Sequence, residues 1–159
     1  MAAKPILDLD SIDLTKVVVT RDEIRTACKQ RGEFEMPEGI LHHDREQRIV
    51  VGYRDITADD WWAACHIPGR PIFPGVLQVE GAAQLCTYDF IKGDARDEEV
   101  FVGFAGLNGT RFRGIVEPPC RLIWVVKVNK IRRGMFIYDA QGFVDGKLVF
   151  ETEIMGTAF

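Results

Sequence analysis

Residues 65–84 read CHIPGRPIFPGVLQVEGAAQ, and this stretch predicts a stiff loop followed by a helix. Three prolines fix their own φ and disfavour helical backbone in the residue before each of them, so we expect an extended loop over residues 66–73. Pro74 suits the first turn of a helix, where its missing N–H costs nothing. No proline interrupts the chain from Gly75 to about Phe90, which predicts a helix there.

The predicted helix is apolar around most of its circumference, yet some of its polar side chains fall on one line. Glu80 and Gln84 lie four residues apart, and Thr87 continues the line. Most often such a line is the solvent-exposed face of an amphipathic helix. A carboxyl group on a largely buried helix, however, needs a partner or a proton, and His66 stands just upstream. The pattern therefore also predicts an acid/base site formed by His66 and Glu80.

The start of the same helix is a candidate site for a developing negative charge. The backbone N–H groups of a first helical turn lack intrahelical partners and carry the positive end of the helix dipole. We therefore expect the N–H groups of Gly75 and Val76 to stabilise an oxyanion. Gln84, one turn beyond Glu80, is placed to bind the carboxyl group and orient it.

Together these residues form the motif H-x-P-G-x-P-x-x-P-G-x-x-x-x-E-x-x-x-Q, which begins at His66 and ends at Gln84. In this motif the chain resembles the 3-hydroxyacyl-[acyl-carrier-protein] dehydratases, which are hotdog-fold enzymes of fatty-acid synthesis. Weaker matches follow in the family's order at residues 104–106, 111–112, 132–134 and 144–147. The family's L-P-H-R-x-P segment, which precedes its first strand, is not found in this chain. Another segment must therefore line that side of the site.

The resemblance implies removal of water from a (3R)-3-hydroxyacyl thioester to give a trans-2-enoyl thioester, in fatty-acid or related lipid or polyketide synthesis. It implies that His66 is the base and Glu80 the acid, contributed by different subunits of a dimer, and it implies no cofactor and no metal. A related dehydratase/isomerase type carries aspartate at the position of Glu80, so the glutamate favours dehydration alone. Two alternatives stay open, a hotdog acyl thioesterase and a non-catalytic acyl-binding subunit.

The composition is that of an ordinary soluble globular protein. The 159 residues are 28% charged and 47% hydrophobic, with a net charge of −4, which argues against general nucleic-acid binding. No apolar run is long enough for a membrane span, and no hydrophobic signal core follows the N-terminus. The four cysteines show neither C-x-x-C nor metal-site spacing. A reduced, cytoplasmic protein is expected.

One stretch of the chain is strongly basic. Residues 111–133 hold seven basic side chains and one acidic one, a pattern that suits a solvated sheet face and an acidic or phosphate-bearing partner equally well. The resemblance favours docking of acyl carrier protein, which is acidic and carries the substrate on a phosphopantetheine arm. The candidate docking residues are Arg111, Arg113, Arg132 and Arg133.

The remaining pattern predicts one α+β domain over residues 1–159. The first 32 residues form a lead-in with a short helix, because Thr20 and Glu23 make a capping box before a helical run to about Gln30. Strands are predicted over residues 47–55, 100–107, 122–128, 135–144 and 148–155. The segment His42-His43-Asp44 is expected in an exposed turn.

One long helix and one long antiparallel sheet would match the hotdog fold, in which the sheet wraps around a central helix. Such an arrangement leaves flanks uncovered, and homodimers are a common way to cover them. We therefore expect a homodimer or a higher homo-oligomer such as a trimer of dimers.

Overall fold

The predicted central helix is present in the computed structural model of the protein, which describes residues 3–159. In chain order the elements are β1 (Val19–Thr20), α1 (Arg21–Ala27), β2 (Gly39–Asp44), β3 (Ile49–Ile56), α2 (Gly75–Gly93), β4 (Val102–Phe112), β5 (Cys120–Arg132), β6 (Met135–Val144) and β7 (Lys147–Ala158). Single turns of 3₁₀-helix lie at Leu9–Ser11 and Gly32–Phe34.

The strands form one antiparallel sheet in the order β1-β2-β3-β5-β6-β7-β4, and α2 packs against one face of it. The approach is close at Gly81, where a Cβ atom would lie 2.2 Å from the ring of Trp124 on β5. The Trp124 indole N–H also donates to the Gln78 carbonyl over 2.9 Å. A long helix wrapped by an antiparallel sheet is the α+β hotdog fold, which confirms the predicted fold class.

The period-2 pattern of β5 separates two apolar clusters, as predicted. Leu122, Trp124 and Val126 are buried on the side of α2, whereas Ile123 and Val125 face the other side of the sheet. The second cluster is covered by apolar side chains from residues 6–14. The N-terminal lead-in is therefore packed on the outer face of the sheet; Met1 and Ala2 lie outside the described residues.

The hairpin turns lie where glycines predicted them. Arg133-Gly134 and Asp145-Gly146 all adopt positive φ, the backbone that a two-residue hairpin turn requires. The strand between these turns, β6, has the predicted bounds. By contrast, β4 continues to Phe112, five residues beyond the predicted end at Leu107.

The short helix begins as predicted and ends earlier. Thr20 and Glu23 form both hydrogen bonds of the capping box at the start of α1. The helix stops at Ala27 instead of about Gln30, because Cys28 is extended and donates from its thiol to the Gln84 carbonyl over 3.3 Å.

The prediction of an exposed turn at His42-His43-Asp44 is wrong, because these residues are part of β2. His43 is turned inward, with Nε2 3.1 Å from Asp89 Oδ1 on α2. Asp89 is fully buried and also accepts hydrogen bonds from Arg48 and Tyr138. Burial alone would raise the pKa of Asp89, but the hydrogen bonds from His43 and Tyr138 and the Arg48 charge outweigh it and lower that pKa.

Candidate active site

His66 lies in the loop between β3 and α2 and is held in one orientation. Its Nδ1 lies 2.7 Å from the Ile72 carbonyl oxygen, and since a carbonyl only accepts, Nδ1 carries the proton and donates. Nε2 has no hydrogen-bond partner among residues 3–159, so it is free to accept a proton from a ligand. The prediction that the loop is extended over residues 66–73 is wrong in part. The backbone turns over residues 67–70, where Ile67 has a φ of 56°.

The start of α2 provides the predicted unpaired donors. Pro74 is the N-cap, and its carbonyl accepts from the N–H groups of Leu77 and Gln78. Within residues 3–159 the N–H groups of Gly75 and Val76 have no acceptor. Gly75 lies against Phe112, since a Cβ atom on it would come 2.8 Å from that ring. The absence of a side chain therefore allows Phe112 to pack against the first turn of α2.

His66 and these two N–H groups share an open cleft of about 460 Å³. Its walls come from the loop before α2, the first turn of α2 and the end of β4. The lining residues are His66, Ile72, Phe73, Pro74, Gly75, Val76, Gln78, Phe112, Gly114, Ile115 and Val116. The His66 imidazole, two unpaired backbone N–H groups and an apolar wall thus lie together in one cleft.

Glu80 is half-buried and bound by Gln84, as predicted. Gln84 Nε2 donates to Glu80 Oε1 over 2.7 Å and also to the Phe34 carbonyl over 2.7 Å. Gln84 Oε1 accepts from the Met36 N–H over 3.0 Å, so every hydrogen-bonding group of this 2%-exposed amide is used.

Burial raises the pKa of the neighbouring Cys28 thiol to about 12, with a smaller contribution from the Glu80 charge.

The chain itself does not bring Glu80 and His66 into one cavity. Glu80 lines a separate pocket of about 80 Å³ with Gln30, Thr87 and residues of β4, β6 and β7, and Glu80 is absent from the lining of the His66 cleft. The helix explains the separation: Gln78 lines the His66 cleft, and Glu80, two residues later, projects about 200° further around α2.

Both cavities border β4, which is one of the two edge strands of the sheet. Phe112, at its C-terminal end, lines the His66 cleft, whereas Phe104, near its N-terminal end, lines the Glu80 pocket. These two phenylalanines are 51% and 54% exposed, and Leu107 between them is 41% exposed. The strand that borders both cavities therefore presents an uncovered apolar surface.

The arginine candidates fall into two separate groups. Arg111 pairs with Glu151 on β7, and Arg132 pairs with Met135, which pairs with Thr157 on β7. Six residues of β7 separate the two positions, which corresponds to roughly 20 Å. Arg113 forms an ion pair with Glu151, while Arg132 and Arg133 line an open groove with Lys130 and no described acidic partner.

Sequence reasoning missed two polar residues that line the cavities. Gln78 lines the His66 cleft, and the only available signal was a polar residue among apolar neighbours in the motif. Gln30 follows α1 and lines the Glu80 pocket. Which residues line the site in place of the missing L-P-H-R-x-P segment could not be predicted from the sequence. Nothing in the local sequence around Gln30 indicates this contact, because Glu80 is fifty residues away.

Residues 3–159 contain no cluster of three or more His, Cys, Asp or Glu side chains that could hold a metal ion. No helix among them has both the length and the apolar character needed to cross a membrane.

Comparisons with known proteins find relatives over most of the chain. The family model described as "FabA-like domain" matches residues 29–153. The chain is 38% identical over 111 residues to a 3-hydroxyacyl-[acyl-carrier-protein] dehydratase FabZ of Campylobacter jejuni, covering 68% of this chain and 76% of that protein. The FabZ dehydratase of Campylobacter lari is 36% identical over 137 residues, which cover 83% of this chain and 92% of that protein.

A solved structure has the same fold at low sequence identity. It is the dehydratase heterocomplex ApeI:P from Xenorhabdus doucetiae, which superposes with a TM-score of 0.72 at 9% identity. The superposition covers 86% of this chain and 90% of that one.

Proposed function

The chain belongs to the FabA-like family and is an enzyme of the 3-hydroxyacyl-[acyl-carrier-protein] dehydratase class, and we propose that His66 and Glu80 carry its reaction. The reaction converts a (3R)-3-hydroxyacyl thioester to the trans-2-enoyl thioester and water. The observation that carries the assignment of residues is the His66 imidazole, oriented by Ile72, in one cleft with the unpaired N–H groups that begin α2.

In the proposed mechanism, His66 Nε2 removes a proton from the carbon next to the thioester carbonyl. The electron pair of that C–H bond forms the new double bond, and negative charge develops on the thioester oxygen on the way. The N–H groups of Gly75 and Val76 donate to this oxygen, where the helix dipole adds to their effect. The electron pair of the C–O bond leaves with the 3-hydroxyl group. This group takes a proton from Glu80 and departs as water.

Gln84 holds the Glu80 carboxyl group in place for this step. Its Nε2–H donates to Oε1, which directs the other carboxyl oxygen away from the Gln84 amide. Because Glu80 stands where the dehydratase/isomerase type has aspartate, we assign dehydration without isomerisation.

A homodimer completes the site. If β4 pairs with β4 of a second copy antiparallel about Leu107, Phe112 of one chain falls next to Val102 of the other. The Glu80 pocket of one chain then meets the His66 cleft of its partner, and the exposed phenylalanines of β4 are covered. Two equivalent sites per dimer result, and dimers could assemble further into a trimer of dimers.

Acyl carrier protein delivers the substrate. We assign its docking to the groove of Lys130, Arg132 and Arg133, which is basic, has apolar neighbours and faces no described acid. Arg111 and Arg113 lie too far along the sheet to join the same contact. The four free cysteines suit a reducing compartment, which supports a cytoplasmic location.

The test is turnover of 3-hydroxyacyl thioesters, followed by the absorbance of the conjugated enoyl product. His66→Ala and Glu80→Gln should each lower the rate about 10²- to 10⁴-fold while the proteins stay folded. Release of free thiol without enoyl product would instead indicate a thioesterase. Ligand binding by the wild-type protein without turnover would indicate a non-catalytic subunit.

A further inference from the structure

Gln78, on α2, has an unsatisfied hydrogen-bond acceptor. The residue is 3% exposed, and its side-chain oxygen Oε1 is buried without a partner among residues 3–159. Its backbone carbonyl accepts from the Trp124 indole N–H over 2.9 Å, so the backbone of Gln78 is fixed. The backbone of this residue is thus held in place while its side-chain acceptor is unused.

Gln78 is one of the residues that line the His66 cleft, and most of the others are apolar. Among the described residues that line it, the His66 imidazole and the Gln78 amide are the only polar side chains. A cleft of this kind positions a ligand through its few polar groups, because the apolar walls do not fix orientation.

The other buried glutamines of the chain differ from Gln78. Gln84 binds Glu80, Phe34 and Met36 through both ends of its amide. Gln141 accepts from the Ile6 N–H and donates to the Lys4 carbonyl. A buried amide oxygen without a donor is unfavourable, since it has lost water and gained nothing. Its presence in a ligand cleft indicates that the ligand supplies the donor.

We propose that Gln78 is a substrate-binding residue whose Oε1 accepts a hydrogen bond from an N–H or O–H donor of the thioester held beside His66. This inference rests on the proposed function. The thioester offers two kinds of such donor, the 3-hydroxyl group and the amide N–H groups of the arm that carries the sulfur. Either bond holds the substrate along the cleft, so that the carbon to be deprotonated stays within reach of Nε2.

The first test is Gln78→Leu, which replaces the amide by an apolar group of similar size. We expect kcat/KM for a 3-hydroxyacyl thioester to fall about 10- to 100-fold, because the substrate donor then faces an apolar wall. We expect the melting temperature to rise by about 2 to 4 °C, because an unsatisfied buried group has been removed. Gln78→Met, which is unbranched like glutamine, should behave in the same way.

Gln141→Leu is the matched control, since it removes a buried amide whose bonds are made within the chain. This variant should melt at a lower temperature and keep its kcat/KM. If Gln78→Leu and Gln78→Met behave like Gln141→Leu, the Gln78 amide is structural, for example bound by the partner subunit, and the proposal is wrong.

Binding measurements in the His66→Ala background identify the donor without relying on turnover. The probes are pantetheine thioesters of 3-hydroxybutanoate and of butanoate, which differ only in the hydroxyl group. If the hydroxyl group is the donor, adding Gln78→Leu should weaken binding of the first probe alone, by about 10-fold. If an N–H group of the arm is the donor, binding of both probes should weaken equally. Unchanged affinity for both would overturn the inference, whereas failure of the wild-type protein to form enoyl product would overturn only the proposed function.

Discussion

Gln84 Nε2 donates a hydrogen bond to Glu80 Oε1 over 2.7 Å, one helical turn away on α2. The same amide binds the Phe34 carbonyl and the Met36 N–H, which belong to the segment that follows α1. The orientation of the proposed acid is therefore fixed by a segment nearly fifty residues earlier in the chain.

Gln84→Met should reduce both activity and stability. The Glu80 carboxyl loses the group that orients it, so kcat should fall about 10-fold or more. The Met36 N–H and the Phe34 carbonyl lose their partner, which costs about 1–3 kcal/mol of unfolding free energy. Enoyl formation and urea unfolding measure the two effects. A loss of stability with unchanged kcat would show that Gln84 has no part in positioning the acid.

Mixing His66→Ala with Glu80→Gln should restore activity that neither variant has alone. In the proposed homodimer each site combines His66 of one subunit with Glu80 of the other, so a mixed dimer contains one site with both groups intact. Random exchange of equal amounts makes half of the dimers mixed, so about a quarter of the wild-type rate should return. The measurement is turnover after the two variants are unfolded and refolded together. No recovery would place both groups in the same subunit.

Arg132→Glu combined with Arg133→Glu should impair the carrier-bound substrate specifically. Charge reversal in the basic groove repels an acidic carrier, so KM for the carrier thioester should rise about 10-fold or more at low salt. KM for a small N-acetylcysteamine thioester should not change. Arg111→Glu, about six strand positions away, is the matched control and should leave both values unaltered. An equal rise for both substrates would argue against carrier docking in the groove.

Asp89→Asn should destabilise the protein by about 3–5 kcal/mol at pH 7, because Arg48 is left without its buried carboxylate. The pKa of Asp89 is lowered in the folded state, so its stabilising contribution is complete above the unfolded value of about 3.9 and is lost as the pH falls through the folded value. The difference between wild type and variant should therefore shrink below pH 4. Denaturant unfolding from pH 7 to pH 3 measures it; a difference that does not change with pH would contradict the assignment.

Gly81→Ala should destabilise the fold, although glycine to alanine within a helix ordinarily stabilises by about 1 kcal/mol. The new Cβ atom would lie 2.2 Å from the buried Trp124 ring, and overpacking of this kind costs about 1–3 kcal/mol. Thermal unfolding measures the effect. In a Trp124→Phe background, where the colliding ring atoms are gone, the same substitution should cost less. An equal cost in both backgrounds would exclude the ring contact as the cause.

The sequence by itself determined the elements and the chemistry that they carry. Pro74 and Gly75 begin α2 where predicted, the Arg133-Gly134 and Asp145-Gly146 turns bound β6, and the alternation of β5 sorts its side chains between two clusters. These features depend on backbone restrictions and on periodicity, which are properties of neighbouring residues.

The tertiary structure alone decided which distant groups meet. His43 was expected in a turn and instead binds Asp89, and Gln30 lines the Glu80 pocket. Gln78 faces the His66 cleft while Glu80 faces away from it. The helical period turns Gln78 and Glu80 to opposite sides of α2, but which cavity each side faces depends on strands far away in the chain. Local propensity carries no information about contacts between distant residues.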